Sequence, residues 1–140
     1  MKILIINGPN LNLLGRREPD IYGHRDFDSY LVGLRKTFDG RGVTIDHVQS
    51  NVEGEIINFM HDAMGRYDGI ILNAGGYTHT SVAIADAIRS IDVPVVEVHI
   101  SNIFAREEYR RISLTGAACH GAITGFGLDS YRLAVESFLA

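Results

Sequence analysis

The chain has 140 residues, 46% of them hydrophobic and 21% charged, with a formal net charge of -4; this is enough for one domain with a real core and ordinary for a soluble globular protein. The acidic balance argues against nucleic acid or an anionic membrane as partner, and no apolar run reaches the ~18 residues of a membrane helix. The start Met1-Lys-Ile-Leu-Ile-Ile-Asn7 turns polar too soon for a signal peptide, and the lone Cys119 cannot make an intrachain disulfide, so a cytoplasmic protein is expected.

Residues 2–7 read as a first buried strand, broken by Gly8-Pro9-Asn10. Leu11 to His24 shows no clean period and holds Gly15, Pro19 and Gly23. A loop of about a dozen residues in a small domain is usually functional or disordered; this one carries Arg16, Arg17 and Tyr22, which favours a lid. A first helix is expected over 27–38, capped by Asp26 and ended by Gly40 and Gly42. Residues 43–49 form a second strand. Ser50-Asn-Val-Glu53 has the spacing of a capping box and opens a second helix over 52–64. Residues 69–73 form a third strand, Ala74-Gly75-Gly76 turns the chain, and a third helix covers 80–90.

Val93-Pro-Val-Val-Glu-Val-His-Ile-Ser101 is a fourth strand rich in β-branched residues, as in a sheet covered on both faces. A period of two puts Val95, Glu97, His99 and Ser101 on one face and Val96, Val98 and Ile100 on the other. Glu97 then stands beside His99, close enough to orient the imidazole and stabilise its protonated form. A core histidine satisfied by a local acid reads equally well from this strand alone. Residues 106–111 are expected as a short helix or ordered loop, 122–125 as a fifth strand, and 128–139 as an amphipathic helix with Leu128, Tyr131, Val135 and Phe138 on its apolar face.

Strands alternating with helices predict an α/β fold, a doubly wound five-stranded parallel sheet of flavodoxin-like topology within one domain spanning 1–140. Ligands bind such sheets beyond the carboxyl ends of the strands. Those ends are where this chain turns polar: Asn7 and Asn10, Gln49, Asn73, and His99 with Ser101. The 13 basic residues comprise two lysines and eleven arginines, clustered at Arg16, Arg17 and Arg25 and at Arg106, Arg110 and Arg111. Arginine forks hold carboxylate or phosphate bidentately, so a small anionic ligand is expected; Arg25 and Arg111 read as well as solvated surface charge.

Other chemistries lack their residues. There is no phosphate-loop motif. Gly125-Phe-Gly127-Leu-Asp-Ser130 departs from a dinucleotide fingerprint at its last position, and no strand and acid follow it; close helix–strand packing accounts for its glycines better. The six histidines, at 24, 47, 61, 79, 99 and 120, show no metal-binding spacing, so no metal or cofactor is expected. Neither Lys2 nor Lys36 ends a strand, which leaves Schiff-base catalysis unsupported. Cys119 has no obvious base partner and reads as a core residue. Proton transfer remains, with His99, Tyr22 and His79 as candidates. A tyrosine acting as base near neutrality must drop from about 10, a change worth ~4 kcal/mol, part of which a nearby arginine such as Arg17 supplies. From the residues alone this is an acid–base enzyme for a small anion.

Four blocks resemble the type II 3-dehydroquinate dehydratases. They are Ile6-Asn-Gly-Pro-Asn-Leu-Asn-Leu-Leu-Gly-Arg-Arg-Glu-Pro-Asp-Ile-Tyr-Gly23, Gln49-Ser-Asn-Val-Glu-Gly-Glu55, Asn73-Ala-Gly-Gly-Tyr-Thr-His-Thr-Ser81 and Glu97-Val-His-Ile-Ser-Asn-Ile-Phe-Ala-Arg-Glu-Glu-Tyr-Arg110. Together they span most of residues 3–112, in the family's order. Beyond Ser113 the match weakens: the usual proline is missing near Thr115-Gly116, Asp129-Ser130 replaces Gln-Gly, and Phe104 replaces a common histidine. The resemblance implies trans-dehydration of 3-dehydroquinate to 3-dehydroshikimate through an enolate, in the shikimate pathway or in quinate breakdown. It implies Tyr22 as base with Arg17 favouring its phenolate, Asn10 positioning a water at the enolate, and His99 as acid held by Glu97. It further implies that Asn73 and the backbone of Ile100 and Ser101 bind the substrate carboxylate, and that His79 and Arg110 hold ring hydroxyls. Asp86 would reach a neighbouring subunit's site in a homo-oligomer, a dodecamer built from trimers, and Arg106 would help close the loop.

Two other readings stay open on the residues. A receiver or ligand-binding module of the same fold would want clustered acids at the strand ends, where this chain has amides and histidines. Another lyase or isomerase acting on a hydroxy-acid ring would need the same acid–base set.

Overall fold

The first three β-strands are built around apolar residues and end in an amide, Asn7, Gln49 and Asn73. A computed structural model describes residues 1–16, 18–22 and 25–140, the side chains of Pro19 and Tyr22 excepted. In chain order the elements are β1 (Lys2–Asn7), α1 (Pro19–Tyr22), α2 (Phe27–Asp39), β2 (Thr44–Gln49), α3 (Glu53–Ala63), β3 (Gly69–Asn73), α4 (Val82–Ser90), β4 (Val95–His99), β5 (Gly121–Thr124) and α5 (Asp129–Leu139). All neighbouring strands pair in parallel, in the order β2-β1-β3-β4-β5. The α/β, flavodoxin-like expectation holds, and Asn7, Gln49 and Asn73 meet in register at one end of the sheet.

The period of two sorts the strand residues into two core layers. Ile3, Ile5, Ile71, Val96 and Val98 pack under α2 and α5, against Phe27, Leu31, Leu34, Phe38, Tyr131, Ala134 and Val135. Leu4, Ile6, Ile70, Leu72 and Val95 pack under α3 and α4, against Ile56, Met60, Ala63, Ile84, Ala87 and Ile88. The expected faces of β4 are therefore correct, with Val95 in one layer and Val96, Val98 and Ile100 in the other. Among the described residues no helix is long and apolar enough to cross a membrane.

The helix starts differ in instructive ways. Asp26 caps α2 as expected, accepting the Ser29 N–H at 2.7 Å. The capping box at Ser50 does not form. Ser50 Oγ accepts from the Val52 N–H at 2.9 Å and donates to Glu55 Oε2 at 2.7 Å. Glu53, the expected reciprocal partner, accepts instead from Ser81 Oγ at 2.6 Å. Ser81 in turn caps α4 through the Ile84 N–H, so α4 starts at Val82 and residues 75–79 form a 3₁₀ turn. The competing partner lies 28 residues away, beyond the reach of a local motif.

The segment expected to be irregular contains a 3₁₀ turn at Leu11–Leu13 and the single turn α1. Residues 106–111 lie around two 3₁₀ turns, Ile103–Ala105 and Glu108–Arg110. The loops after β1 and β3 cross at Gly8, where a Cβ would come within 2.6 Å of the Ala74 carbonyl oxygen. Only glycine permits that approach, and it brings Asn10 and Asn73 to the same rim.

Candidate active site

Parallel strands point their carboxyl ends one way, so residues 73 and 99 and the loop after residue 7 open onto a common cavity of about 160 Å³. Asn10, Asn73, His79, His99, Ile100, Ser101 and Arg110 all line it, and Arg106 joins them. Seven of the expected site residues are thus brought together from three strand ends and two loops. Glu97 stands behind His99. Asp86 does not line this cavity; it is exposed on α4, 3.9 Å from Arg89. Arg17 lies outside the described residues. Tyr22 closes α1, and its side chain lies outside the described residues.

Each of these groups has a fixed orientation. Asn10 adopts the left-handed conformation, φ 70°, which asparagine tolerates better than most residues, and its N–H donates to Asn51 Oδ1 at 3.0 Å. His79 donates from Nδ1 to the Ile112 carbonyl at 2.8 Å, so Nδ1 carries the proton. Its ring stacks on His99 with centroids 6.3 Å apart. Arg106 donates to Ser101 Oγ at 3.4 Å and lies 3.7 Å from Glu18 Oε2. Arg110 is braced on Glu107 at 2.7 Å. Two guanidinium groups and two side-chain amides lining one cavity suit a small polar anion.

Behind the cavity lies the buried Glu97–His99 pair. His99 Nε2 lies 3.1 Å from Glu97 Oε2, near enough for strong attraction but out of line for a hydrogen bond. With Nε2 turned to Glu97, Nδ1 is the nitrogen left to face the cavity. Glu97 is 1% exposed, a costly place for a charge unless its oxygens are satisfied. They are. Thr115 Oγ1 donates to Oε1, and Ser113 Oγ donates to Oε2 at 2.8 Å. The Gly116 N–H donates to Ser113 Oγ at 2.8 Å, which leaves the Ser113 proton for the carboxylate. Burial pushes the Glu97 carboxyl up, but His99 and the hydroxyls of Thr115 and Ser113 outweigh it and hold the group below its ordinary 4.5.

Ser113, Thr115 and Gly116 are functional positions that the sequence reading missed. A Cβ on Gly116 would sit 2.8 Å from both Glu97 Oε2 and Ser113 Oγ, so a larger residue here, where the chain departs from the resembled pattern, displaces the carboxylate or its donor. The Leu114 N–H donates to the Thr78 carbonyl at 2.9 Å, which lays this segment across the site. The hydroxyls lie 16 and 18 residues beyond Glu97 in an irregular segment; no spacing rule connects them.

Two consequences can be measured. Thr115→Val leaves a buried carboxylate oxygen unpaired and lowers stability by about 1–3 kcal/mol, read from the denaturant midpoint. A carboxyl with a depressed folded pKa contributes stability that is complete above its unfolded value and lost as pH falls through the folded one. For Glu97 that loss begins below about pH 4.5, so Glu97→Gln flattens the acid limb of the stability curve; an unchanged limb refutes this assignment.

Cys119 is half-buried against the α3–α4 layer. Burial first, and the Glu97 charge second, push its thiol up to about 12, so it is no nucleophile near neutrality. Among the described residues no group of three or more His, Cys, Asp or Glu could hold a metal ion.

The same architecture recurs in known proteins. A family model described as dehydroquinase class II matches residues 1–139. A 3-dehydroquinate dehydratase of Fusobacterium nucleatum is 54% identical over 138 residues, covering 96% of this chain and 94% of that protein. One from an Exiguobacterium species is 56% identical over 142 residues, covering 99% and 94%. The crystal structure of a type II dehydroquinase from Butyrivibrio crossotus superposes with a TM-score of 0.96 at 43% identity, covering 100% of this chain and 98% of that one.

Proposed function

The chain belongs to the dehydroquinase class II family and dehydrates 3-dehydroquinate to 3-dehydroshikimate; from that premise we propose how its residues divide the reaction. The observation that carries the proposal is the buried Glu97–His99 pair at the floor of a cavity walled by amides and guanidinium groups. Elimination of water beside a ketone needs a base for the C–H proton, a stabiliser for the enolate oxygen and an acid for the leaving hydroxyl. An anti elimination needs the base and the acid on opposite faces of the ring.

Tyr22, with its phenolate favoured by Arg17, removes the proton next to the ketone. Asn10 holds a water that stabilises the enolate. His99 delivers a proton to the departing hydroxyl, the C–O bond breaks, and the enolate electrons form the new double bond. Glu97 balances the charge of the imidazolium and fixes its orientation. Asn73 and the backbone amides of Ile100 and Ser101 bind the substrate carboxylate, and His79 and Arg110 hold ring hydroxyls. Arg106, within reach of Glu18, draws the loop closed over the substrate and excludes water.

Residues 1–140 act as one catalytic domain in the cytoplasm. The exposed position of Asp86 on α4 fits a role in a neighbouring subunit's site within a homo-oligomer, a dodecamer built from trimers.

The test is direct. Incubation with 3-dehydroquinate produces the ultraviolet absorbance of a conjugated enone, at a rate unaffected by a chelator. A folded protein that gives no absorbance change overturns the reading.

A further inference from the structure

A chain of buried and half-buried hydrogen bonds runs from the cavity through the core, and one backbone group sets its direction. The Gly75 N–H donates to Asn73 Oδ1 at 3.2 Å. A backbone N–H can only donate, so the other end of that side-chain amide is Nδ2. Nδ2 donates to the Tyr131 hydroxyl at 3.0 Å. The hydroxyl passes its own proton to Asn7 Oδ1 at 2.7 Å. Asn7 Nδ2 then lies 3.1 Å from His47 Nε2, which must accept. His47 can accept only when neutral, and burial, the first of the influences on it, lowers its pKa; Asp28 raises it and Arg35 lowers it. Burial also holds the Tyr131 phenol well above its ordinary value, so the hydroxyl keeps its proton to donate.

Tyr131 has no exposure at all. It comes from α5, 58 residues after Asn73, and its ring packs edge-on against Phe27 with centroids 4.9 Å apart. A phenylalanine would fill the same core volume. Among the described residues, the hydroxyl makes hydrogen bonds only to the two asparagines. Asn73 spends its oxygen on Gly75 and one N–H on Tyr131, which leaves its second N–H for the cavity it lines.

We infer that Tyr131 is a positioning residue for the reaction: through the chain His47–Asn7–Tyr131–Asn73 it sets the Asn73 amide so that one N–H points at the substrate. The inference rests on the reading of Asn73 as a substrate-binding group. Without the hydroxyl, Asn73 Nδ2 loses its anchor and the amide swings about the bond to Gly75. The interaction lost is one made to bound substrate before and during reaction alike, so KM carries the effect.

Tyr131→Phe is expected to raise KM for 3-dehydroquinate roughly three- to thirtyfold, with kcat nearly unchanged. A merely structural role predicts the opposite split: fewer folded molecules, lower apparent kcat and an unchanged KM. Asn73→Ala raises KM as well, and adding Tyr131→Phe to it produces no further rise, because the two act through one contact. Wild-type KM in Tyr131→Phe alongside an impaired Asn73→Ala overturns the inference alone. Wild-type KM in Asn73→Ala removes the premise and the inference with it. Full additivity in the double variant also overturns it. Should Tyr131→Phe not fold, Asn7→Ala removes the acceptor of the same hydroxyl and is held to the same outcomes.

Discussion

Replacing His99 with alanine lowers kcat by about 10²–10⁴-fold, the usual worth of a general acid, and leaves a folded protein. The chemical step suffers because hydroxide is a poor leaving group unless it departs as water. In the proposed scheme His99 supplies that proton, with the Glu97 carboxylate 3.1 Å from its Nε2. The fold survives because Glu97 retains two other donors, Ser113 and Thr115, so the buried carboxylate is not stranded. The loss resides in kcat, since the acid acts only as the C–O bond breaks. The measurement is steady-state turnover beside a thermal melt. Turnover within about threefold of wild type would remove His99 from this role.

Tyr22→Phe is the second large effect, again about 10²–10⁴-fold in kcat. The phenol's ordinary value of about 10 makes it a poor base unless a cation and a dry site depress it. Arg17 supplies the cation in the proposed scheme, so Arg17→Ala follows the same direction through a shifted pH–rate profile. Phenylalanine keeps the ring and removes only the proton acceptor, so KM changes little. A Tyr22→Phe enzyme with near wild-type turnover assigns the base to another residue.

The legible parts of this protein were those with short-range causes. Residues 2–7, 69–73 and 95–99 announce strands through a high density of β-branched and other apolar residues. Asp26 announces a helix start because its oxygen needs only the N–H three residues on. Ser50 misled for the same reason: the local pattern was present, but Ser81 competed for Glu53. The polar strand ends pointed to the rim because parallel strands share one direction. Glu97 and His99 were placed on one face by the pleat.

The sequence by itself therefore determined the layer order, the rim, and the chemical kinds of residue gathered there. Four blocks in order carried the substrate, which no spacing argument reaches. What tertiary structure alone decided is how those groups are held. Glu97 stays charged in the core because Ser113 and Thr115 arrive from an irregular segment and Gly116 leaves room for its carboxylate. Asn73 is aimed because a hydroxyl on α5 meets it across the sheet, 58 residues later. Hydrophobic periodicity records which face of an element is buried. A hydrogen bond between distant segments leaves no period, since its partners are chosen by the path of the folded chain.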